Sequence, residues 1–385
     1  MSNTYTRREI IKQGGLALTA LALPFPLTIF SKFNSMTDNN QFDVIIIGGS
    51  YAGLSAAMAL GRSLRNVLII DSGKPCNRYT PHSHNFITQD GAVPGEIAAK
   101  AKEQVLQYDT VKFSEGYATK GRKAENGYEI TIQSGEQFSA KKLVFATGIK
   151  DVFPDIKGFE DCWGKTIIHC PYCHGYEFKG TQTAIIANGD RAFHLASLVH
   201  NLTDKITIVT GGKADFKDAQ FAKLKNHQIH IVEKAVKVIQ HQNGNMTALI
   251  FEDGTEENFG AAYATIPFEQ HCQIPLDLGC EVTETGHIKV DMFQKTTVPG
   301  IYACGDNTNP LRSVANAVST GNIAGAAINN ELTEEELRLI DPEAYQEKYN
   351  RETAGQPDYQ KRVVLTPSEI DALTTTEEEG GTLNE

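Results

Sequence analysis

The stretch FDVIIIGGSYAG, which covers residues 42–53, joins a short apolar run to a glycine-rich turn. The run is rich in β-branched residues and predicts a strand that is buried on both faces, as in parallel sheets. The turn has the pattern G-x-G-x-x-G with Ser50 in place of the second glycine, and Gly48 allows it to be tight. A helical stretch and a second apolar strand follow over residues 54–70, and Asp71 comes directly after them. This order predicts a dinucleotide-binding unit.

The chemistry of such a unit assigns a role to each of these positions. Free N–H groups and the positive dipole end of the helix N-terminus face a pyrophosphate. We therefore predict that Gly48, Ser50 and Gly53 surround the phosphates of a bound dinucleotide. Asp71 is placed to accept a hydrogen bond from a ribose hydroxyl.

A second strand-turn-helix-strand pattern begins near residue 182, but its turn lacks the full glycine pattern. Ala187 replaces the first glycine, and Asp190 lies near the helix start, where it would repel a diphosphate. The following strand offers neither an acid for a ribose hydroxyl nor an arginine cluster for a 2′-phosphate. Two interpretations remain open. Either this unit is a nicotinamide site in which Arg191 and Lys213 partly compensate for the missing groups, or it is a domain that serves only as a structural lid and as a carrier for the cysteines.

Between the two units lies Cys170-Pro171-Tyr172-Cys173-His174-Gly175. The spacing of its cysteines is typical of a redox disulfide, half of a zinc site, a c-type haem attachment or a glutaredoxin. The haem and glutaredoxin interpretations do not explain a position between two dinucleotide units. His169 and His174 lie too close to the pair in sequence to complete a tetrahedral zinc site well. The redox disulfide is favoured. His174, or His169 instead, would accept and donate the protons of the thiols.

The composition limits the class of partner. The chain has 385 residues, a net charge of −11 and 41% hydrophobic residues, which allows two or three domains but disfavours nucleic acid. Its seven cysteines are too sparse for a disulfide scaffold. His82 and His84 are weak candidates for metal ligands, and we predict no metal site.

Both ends of the chain differ from the middle. Arg7 and Arg8 precede an apolar run, which resembles a twin-arginine export signal within residues 1–40; a cytoplasmic location is the alternative. Residues 331–385 are predicted to be an acidic tail, with a surface helix over residues 331–349 and disorder beyond it.

Taken in order, the motifs resemble the low-molecular-weight thioredoxin reductases. They are GGSYAG (48–53), Asp71, ATG (146–148), WG (163–164), CPYCHG (170–175), the second β-α-β unit and VPGIYACGD (298–306). The resemblance implies an α/β fold with two Rossmann-like dinucleotide-binding domains, the second inserted into the first. It implies FAD on residues 41–155 and 272–330, and an NAD(P)-type domain with the cysteine pair on residues 156–271.

The same resemblance implies roles for single residues. Cys173 would face the flavin and Cys170 would exchange with substrate. Further contacts to FAD would come from Asn85, Thr147, Gly148, Gly305, Asp306 and Arg312. Asp306 also follows a predicted strand, where its carboxylate can accept hydrogen bonds from a ribityl chain. A homodimer is expected for the family, with a thioredoxin-like protein or a small dithiol or disulfide as partner.

Three departures from the family's reductases change what we expect of electron flow. His174 stands where those reductases have aspartate, the second glycine turn is incomplete, and the basic cluster for a 2′-phosphate is missing. All three resemble the small-molecule dithiol oxidases built on this fold, which use oxygen as the acceptor. The hypotheses are thus a disulfide reductase that uses NAD(P)H, an oxygen-dependent dithiol oxidase that needs none, and a flavin redox sensor without turnover.

Overall fold

The computed structural model describes residues 40–338. The proposed twin-arginine signal and the chain beyond Arg338 lie outside the described residues. Among the helices of residues 40–338, none is both long enough and apolar enough to cross a membrane.

The described elements alternate between strands and helices. The strands are β1 (Gln41–Ile47), β2 (Val67–Asp71), β3 (Val111–Glu115), β4 (Ala118–Ala124), β5 (Gly127–Ile132), β6 (Gln137–Phe145), β7 (Ile149–Asp151), β8 (Ile167–Ile168), β9 (Thr183–Ile186), β10 (Ile206–Val209), β11 (His230–Val232), β12 (Val236–Gln242), β13 (Asn245–Phe251), β14 (Glu256–Asn258), β15 (Ala261–Ala264), β16 (Phe268–Gln270) and β17 (Ile301–Ala303). The helices are α1 (Tyr51–Arg62), α2 (Pro94–Val105), α3 (Phe159–Cys162), α4 (Pro171–His174), α5 (Gly189–Val199), α6 (Asp218–Asn226), α7 (Ile274–Asp277) and α8 (Val314–Arg338).

The first sheet has seven strands in the order β3-β2-β1-β6-β5-β4, with β17 paired to β6. Strand β1 runs parallel to both β2 and β6, so that Ile46 pairs with Ile69 on one side and with Val144 on the other. All three side chains are fully buried, because the sheet is covered on both faces. Parallel pairing brings the carboxyl ends of β1, β2, β6 and β17 to one edge, where the glycine turns lie.

Small residues let helices α1 and α8 pack closely. A side chain at Gly321 would collide with the backbone of Ala52, and one at Gly325 with the backbone of Ala56. The hydroxyl of Ser55 donates to the carbonyl of Val318 across the same contact, at 2.7 Å. The small positions of α8 therefore serve a helix–helix contact, which fixes α1 and its N-terminal turn.

The chain between β7 and β16 forms a second unit, and the rest of the described chain forms the first. The second unit is built on a parallel sheet of five strands, β11-β10-β9-β15-β8, and it also contains an antiparallel sheet, β12-β13-β14. The chain passes from the first unit to the second after β7 and returns at β16. These two strands pair antiparallel, Phe268 with Asp151 and Gln270 with Ile149. The second unit is thus inserted into the first, as the predicted fold class requires.

Two details depart from the sequence expectations. The predicted strand over residues 287–290 forms only isolated bridges, such as Val290 with Thr296. Helix α8 continues to Arg338, past the predicted boundary at residue 330, because Leu332 is buried and Glu331 is bound by Lys142.

Candidate functional site

The turn between β1 and α1 is held by close backbone contacts. Gly48 has φ +105°, and a side chain there would collide with the carbonyl of Ala146 in the adjacent strand. The Asp71 carboxylate accepts hydrogen bonds from the N–H groups of Gly49 at 2.9 Å and Gly73 at 3.2 Å. A side chain at Gly53 would collide with the carbonyl of Gly48. The turn is therefore shaped by the backbone, and Asp71 keeps lone pairs for a ligand.

A cavity of about 380 Å³ opens at the edge where the parallel strands end. Its size is in the range of ligand-binding pockets. The predicted cofactor residues that line it are Gly48, Ser50, Asp71, Thr147, Gly148, Gly305, Asp306 and Arg312. Cys173 and His174 line the same cavity, so the tertiary structure brings the first, middle and last motifs of the chain together.

Two predicted cofactor residues do not line the cavity. Gly53 lies in the first turn of α1, where its lack of a side chain lets the helix approach the Gly48 turn. Asn85 is exposed, with φ +58°, and its N–H donates to the carboxylate of Asp90 at 2.8 Å. The role of Asn85 in FAD binding stays a prediction: its loop turns locally, and Asn85 is not among the residues that line the cavity.

Polar groups at the cavity match the chemistry of FAD. Within the described residues, Arg312 Nε and His169 Nε2 are buried without a hydrogen-bond partner, although both residues line the cavity. Such orphaned groups are costly unless a ligand satisfies them. Burial raises the pKa of Asp306 to about 6, and Arg312 lowers it in part. The phosphates, ribityl hydroxyls and ring carbonyls of FAD could satisfy these groups.

Asp151 and Cys76 escaped the sequence argument, and Trp163 entered it only as part of the WG motif; all three surround the Arg312 guanidinium at the cavity. The Asp151 carboxylate binds both terminal nitrogens of Arg312, at 2.9 and 3.0 Å. Trp163 Nε1 donates to the same carboxylate at 3.0 Å, and Cys76 Sγ lies 3.0 Å from Arg312 Nη2. Asp151 comes three residues after the ATG turn, at the end of β7, and no motif singles it out.

Cys170 and Cys173 are joined as a disulfide across the first turn of the short helix α4. Cys170 caps this helix, since its Sγ accepts a hydrogen bond from the Cys173 N–H at 3.2 Å. Cys173 is 9% exposed and lines the cavity, whereas Cys170 is only half-buried and does not. One sulfur thus faces the cavity, and the other lies outside it.

Two histidines flank the disulfide in different environments. His169 is stacked on Trp163 with ring centroids 5.9 Å apart, and burial lowers its pKa to about 3, helped by Arg312 and His174. Burial also lowers the pKa of His174, although the His82 carbonyl and Glu177 oppose that shift. His174 is therefore the better proton acceptor of the two near neutral pH.

Metal binding has little support in the part of the chain that is described. Among residues 40–338, no group of three His, Cys, Asp or Glu side chains is arranged so that it could hold a metal ion. His82 Nδ1 lies 3.0 Å from the carbonyl of Gly91, and His84 lies between two carboxylates.

Two side chains of the second β-α-β unit lie at the start of helix α5, where a diphosphate would bind. Asn188 caps α5 and accepts hydrogen bonds from the N–H groups of Gly189 at 2.8 Å and Asp215 at 2.9 Å. The Asp190 carboxylate, in the first turn of α5, accepts from Gln220 at 2.7 Å and pairs with Lys217 at 3.3 Å. A diphosphate at this helix N-terminus would have to displace these contacts and face the Asp190 charge.

Comparison with known proteins places the whole described unit in one family. Residues 42–321 match the family model "pyridine nucleotide-disulphide oxidoreductase". The chain is 32% identical to thioredoxin reductase tcpT of Claviceps purpurea, over 77% of this chain and 96% of that protein. It is 33% identical to thioredoxin reductase sirT of Leptosphaeria maculans, over 75% and 93%.

Solved structures agree with this result. An oxidoreductase from Agrobacterium tumefaciens is 35% identical, with a TM-score of 0.72 over 76% of this chain and 99% of that one. HlmI is 26% identical, with a TM-score of 0.73 over 82% and 98%. The predicted fold class, family and FAD cofactor are confirmed. The chain belongs to the pyridine nucleotide-disulphide oxidoreductase family, as a thioredoxin reductase-like FAD enzyme that acts on sulfur groups.

Proposed function

We propose that the protein is an FAD-dependent dithiol oxidase, which converts a substrate dithiol into a disulfide and reduces oxygen to hydrogen peroxide. The observation that carries this proposal is the blocked turn of the second unit. Asn188 caps the helix N-terminus at which a nicotinamide dinucleotide would place its diphosphate, and the Asp190 carboxylate puts a negative charge in the first turn of that helix. An enzyme with no nicotinamide site needs another source of electrons, and a dithiol supplies them.

The cysteine pair supports an exchange in two steps. A substrate thiolate attacks Cys170 Sγ, forms a mixed disulfide and releases Cys173 as a thiolate. A second substrate thiolate then attacks the substrate sulfur of that bond, closes the product disulfide and releases Cys170 as a thiolate. The half-buried position of Cys170, outside the cavity, suits the sulfur that meets substrate.

Regeneration of the disulfide depends on Cys173. FAD, when bound, would supply the two-electron acceptor for the reduced cysteine pair, and oxygen would be the final acceptor. Cys173 lines the cofactor cavity, which is the position that this transfer needs. In total, one dithiol and one oxygen molecule give one disulfide and one hydrogen peroxide.

His174 is the proton acceptor that we assign to the thiol step. It follows Cys173 directly and lines the same cavity. Its Nε2 lies 3.3 Å from the His82 carbonyl, so a hydrogen bond there requires the proton on Nε2 and leaves Nδ1 as the base. The lowered pKa keeps the imidazole neutral, and a neutral ring can take a proton from a substrate thiol.

The second candidate is a disulfide reductase that uses NAD(P)H to reduce a thioredoxin-like protein. The names of the relatives favour it, since several are called thioredoxin reductases. The exposed cations Arg191 and Lys213 near the second turn also favour it. A reductase would have to bind the nucleotide against the charge of Asp190.

Anaerobic reduction of the purified yellow protein separates the two candidates. We expect dithiothreitol to bleach the flavin absorbance, NADPH and NADH to leave it unchanged, and peroxide to form when air is admitted. Rapid bleaching by NADPH with turnover of a thioredoxin-like acceptor would overturn the oxidase proposal. Bleaching by dithiol without repeated turnover in air would instead support a redox sensor.

A variant of the second turn tests whether its side chains are what prevents NAD(P)H from binding. The substitutions Ala187→Gly, Asn188→Gly and Asp190→Asn together restore a glycine turn and remove the cap and the charge. We expect this variant to bind NAD(P)H measurably more tightly than the wild type in calorimetric titration. Equal binding by both proteins would show that the blocked turn is not the cause.

Export and homodimer formation are also proposed, on the sequence alone. Arg7, Arg8 and the apolar run after them support export through the twin-arginine route. Fractionation of cells that express the full chain, with Arg7→Lys and Arg8→Lys as the control variant, tests the first proposal. Sedimentation of the FAD-loaded protein tests the second.

A further inference from the structure

Four titratable side chains meet where the redox segment contacts the loop of residues 81–92. His174 belongs to helix α4, Glu177 follows it, and His84 and Asp90 come from the loop. The rings of His84 and His174 meet edge to face, with centroids 6.2 Å apart. His84 Nε2 lies 3.5 Å from Glu177 Oε1, and its Nδ1 lies 3.6 Å from Asp90 Oδ1.

Exposure increases along this row of groups, starting from the disulfide. His174 and His84 both line the cofactor cavity, and the side chain of His84 is 22% exposed. The carboxylates of Glu177 and Asp90 are 37% and 69% exposed. The row therefore leads from the cavity to solvent in three short steps.

The proposed chemistry needs such a route. Each dithiol that is oxidised gives up two protons, and the peroxide that forms takes up two. His174 Nε2 lies against the His82 carbonyl, so only Nδ1 is available to exchange a proton. His169 cannot replace His174, since its pKa is lowered to about 3, mainly by burial.

We propose that His84 is a positioning residue that links His174 to Glu177 and Asp90, and that this row of groups carries protons between the redox disulfide and solvent. The two carboxylates flank the His84 ring, one beside each nitrogen. A proton on His84 can pass to either carboxylate and then to solvent. The gap between the two histidine rings is within the span of one bridging water.

The groups around His174 have opposite effects on its pKa. A charged His84 lowers it, whereas Glu177 raises it, in addition to the larger effect of burial. The titratable groups in electrostatic contact with His174 are His169 and Glu177 of its own segment and His84 of the loop, and Asp90 lies beyond His84. Because His174 accepts a proton only when neutral, the acid limb of the rate profile should follow its pKa.

The test uses the FAD-loaded full chain and dithiothreitol as the substrate probe. The rate of anaerobic flavin bleaching is measured from about pH 5 to 9 for wild type, His84→Gln and Glu177→Gln, within the working range of a histidine base. We expect His84→Gln to be about tenfold slower and to have its acid limb at higher pH, and Glu177→Gln to have its limb at lower pH. Added imidazole should restore part of the His84→Gln rate.

If these residues carry protons, the acid limb of the rate profile should shift in opposite directions in His84→Gln and Glu177→Gln. If their role is only structural, both variants should be slower without such shifts. His227→Gln is the matched control, since His227 packs against His200 in the second unit and does not line the cavity. A His84→Gln variant with the wild-type profile, or one that is slow but not rescued by imidazole, would overturn the inference.

The inference rests on the proposed oxidase, and the two fail in different ways. If dithiothreitol does not bleach the wild type, the oxidase proposal fails. If the wild type bleaches and the variants keep its pH profile, only the proton route fails. Solvent isotope effects on the bleaching rate give a second readout, which should be larger in His84→Gln than in wild type, because proton transfer then limits the rate.

Discussion

The Sγ atom of Cys173 lies 3.9 Å from the backbone carbonyl oxygen of Arg312, although 139 positions separate the two residues in the chain. Arg312 belongs to the last segment of the first unit, and its guanidinium is bound by Asp151 at the cavity. The contact therefore holds the disulfide of the inserted unit against the FAD site of the first.

Removal of either redox sulfur should stop the reaction. We expect Cys173→Ser and Cys170→Ser each to slow dithiol-driven flavin bleaching by about a thousandfold or more, because the electron pair loses its path. Stopped-flow absorbance of the FAD-loaded variants measures this. Cys280→Ser is the control, since Cys280 is buried away from the cavity. Unchanged turnover in Cys173→Ser would remove the disulfide from the mechanism.

Gly48 should be required for FAD to bind. Gly48→Ala forces a side chain into a left-handed conformation, with φ +105°, and against the carbonyl of Ala146. We expect FAD affinity to fall at least about tenfold, measured as the ratio of flavin to protein absorbance after dialysis. Gly95→Ala has open space around it and should keep full flavin content. A yellow Gly48→Ala protein would contradict the role assigned to this turn.

Asp306 should make the FAD-free protein less stable as the pH rises. Its folded pKa of about 6, raised mainly by burial, lies above its ordinary value of 3.8. The folded state thus binds more protons, and stability is lost as the pH rises through this window. Asp306→Asn should raise the melting temperature of the FAD-free protein by a few degrees near pH 7.5 and have little effect near pH 4.

The same variant should bind FAD less tightly, although its FAD-free form should be more stable. The amide of Asp306→Asn would lack the charge that an acceptor for ribityl hydroxyls uses, so flavin content should fall. If Asp306→Asn is less stable than wild type near pH 7.5, the burial argument is wrong. If it retains all of its flavin, the cofactor role is wrong.

Lys142 and Glu331 should tie helix α8 to the first sheet. The Lys142 side chain is 7% exposed, and its Nζ lies 2.5 Å from carboxylate oxygens of Glu331 and Glu335. We expect Lys142→Met to lower the free energy of unfolding by about 3 kcal/mol, measured in urea at neutral pH. Lys289→Met, which breaks an exposed pair with Glu281, should cost less than about 1 kcal/mol. Equal losses would contradict this assignment.

Acid should weaken the same contact. Burial opposes ionisation of Glu331, but hydrogen bonds from Lys142, Lys295 and Tyr302 outweigh it and lower its pKa to about 2. The stabilisation is therefore complete above the ordinary pKa of 4.5 and is lost as the pH falls towards 2. Lys142→Met should reduce the loss of stability over that range.

Local patterns were sufficient for the β-α-β units. The apolar run of β1, the turn at Gly48 and the acid at Asp71 lie within about thirty residues, and each has one favoured geometry. Loops lack such periodicity, and no pattern indicated that Asp90 holds the backbone of Asn85 in a local turn.

The sequence by itself determined the dinucleotide turn and the CxxC pair, because each depends on neighbours that are close in the chain. The order of its motifs implied the fold class and FAD through the resemblance to a known family. Only the tertiary structure decided which residues share one site. Arg312 meets Asp151 across 161 positions, and Gln220 covers Asp190 across 30. Contacts between segments so far apart follow from how the sheets and helices pack, and residue spacing carries no information about them.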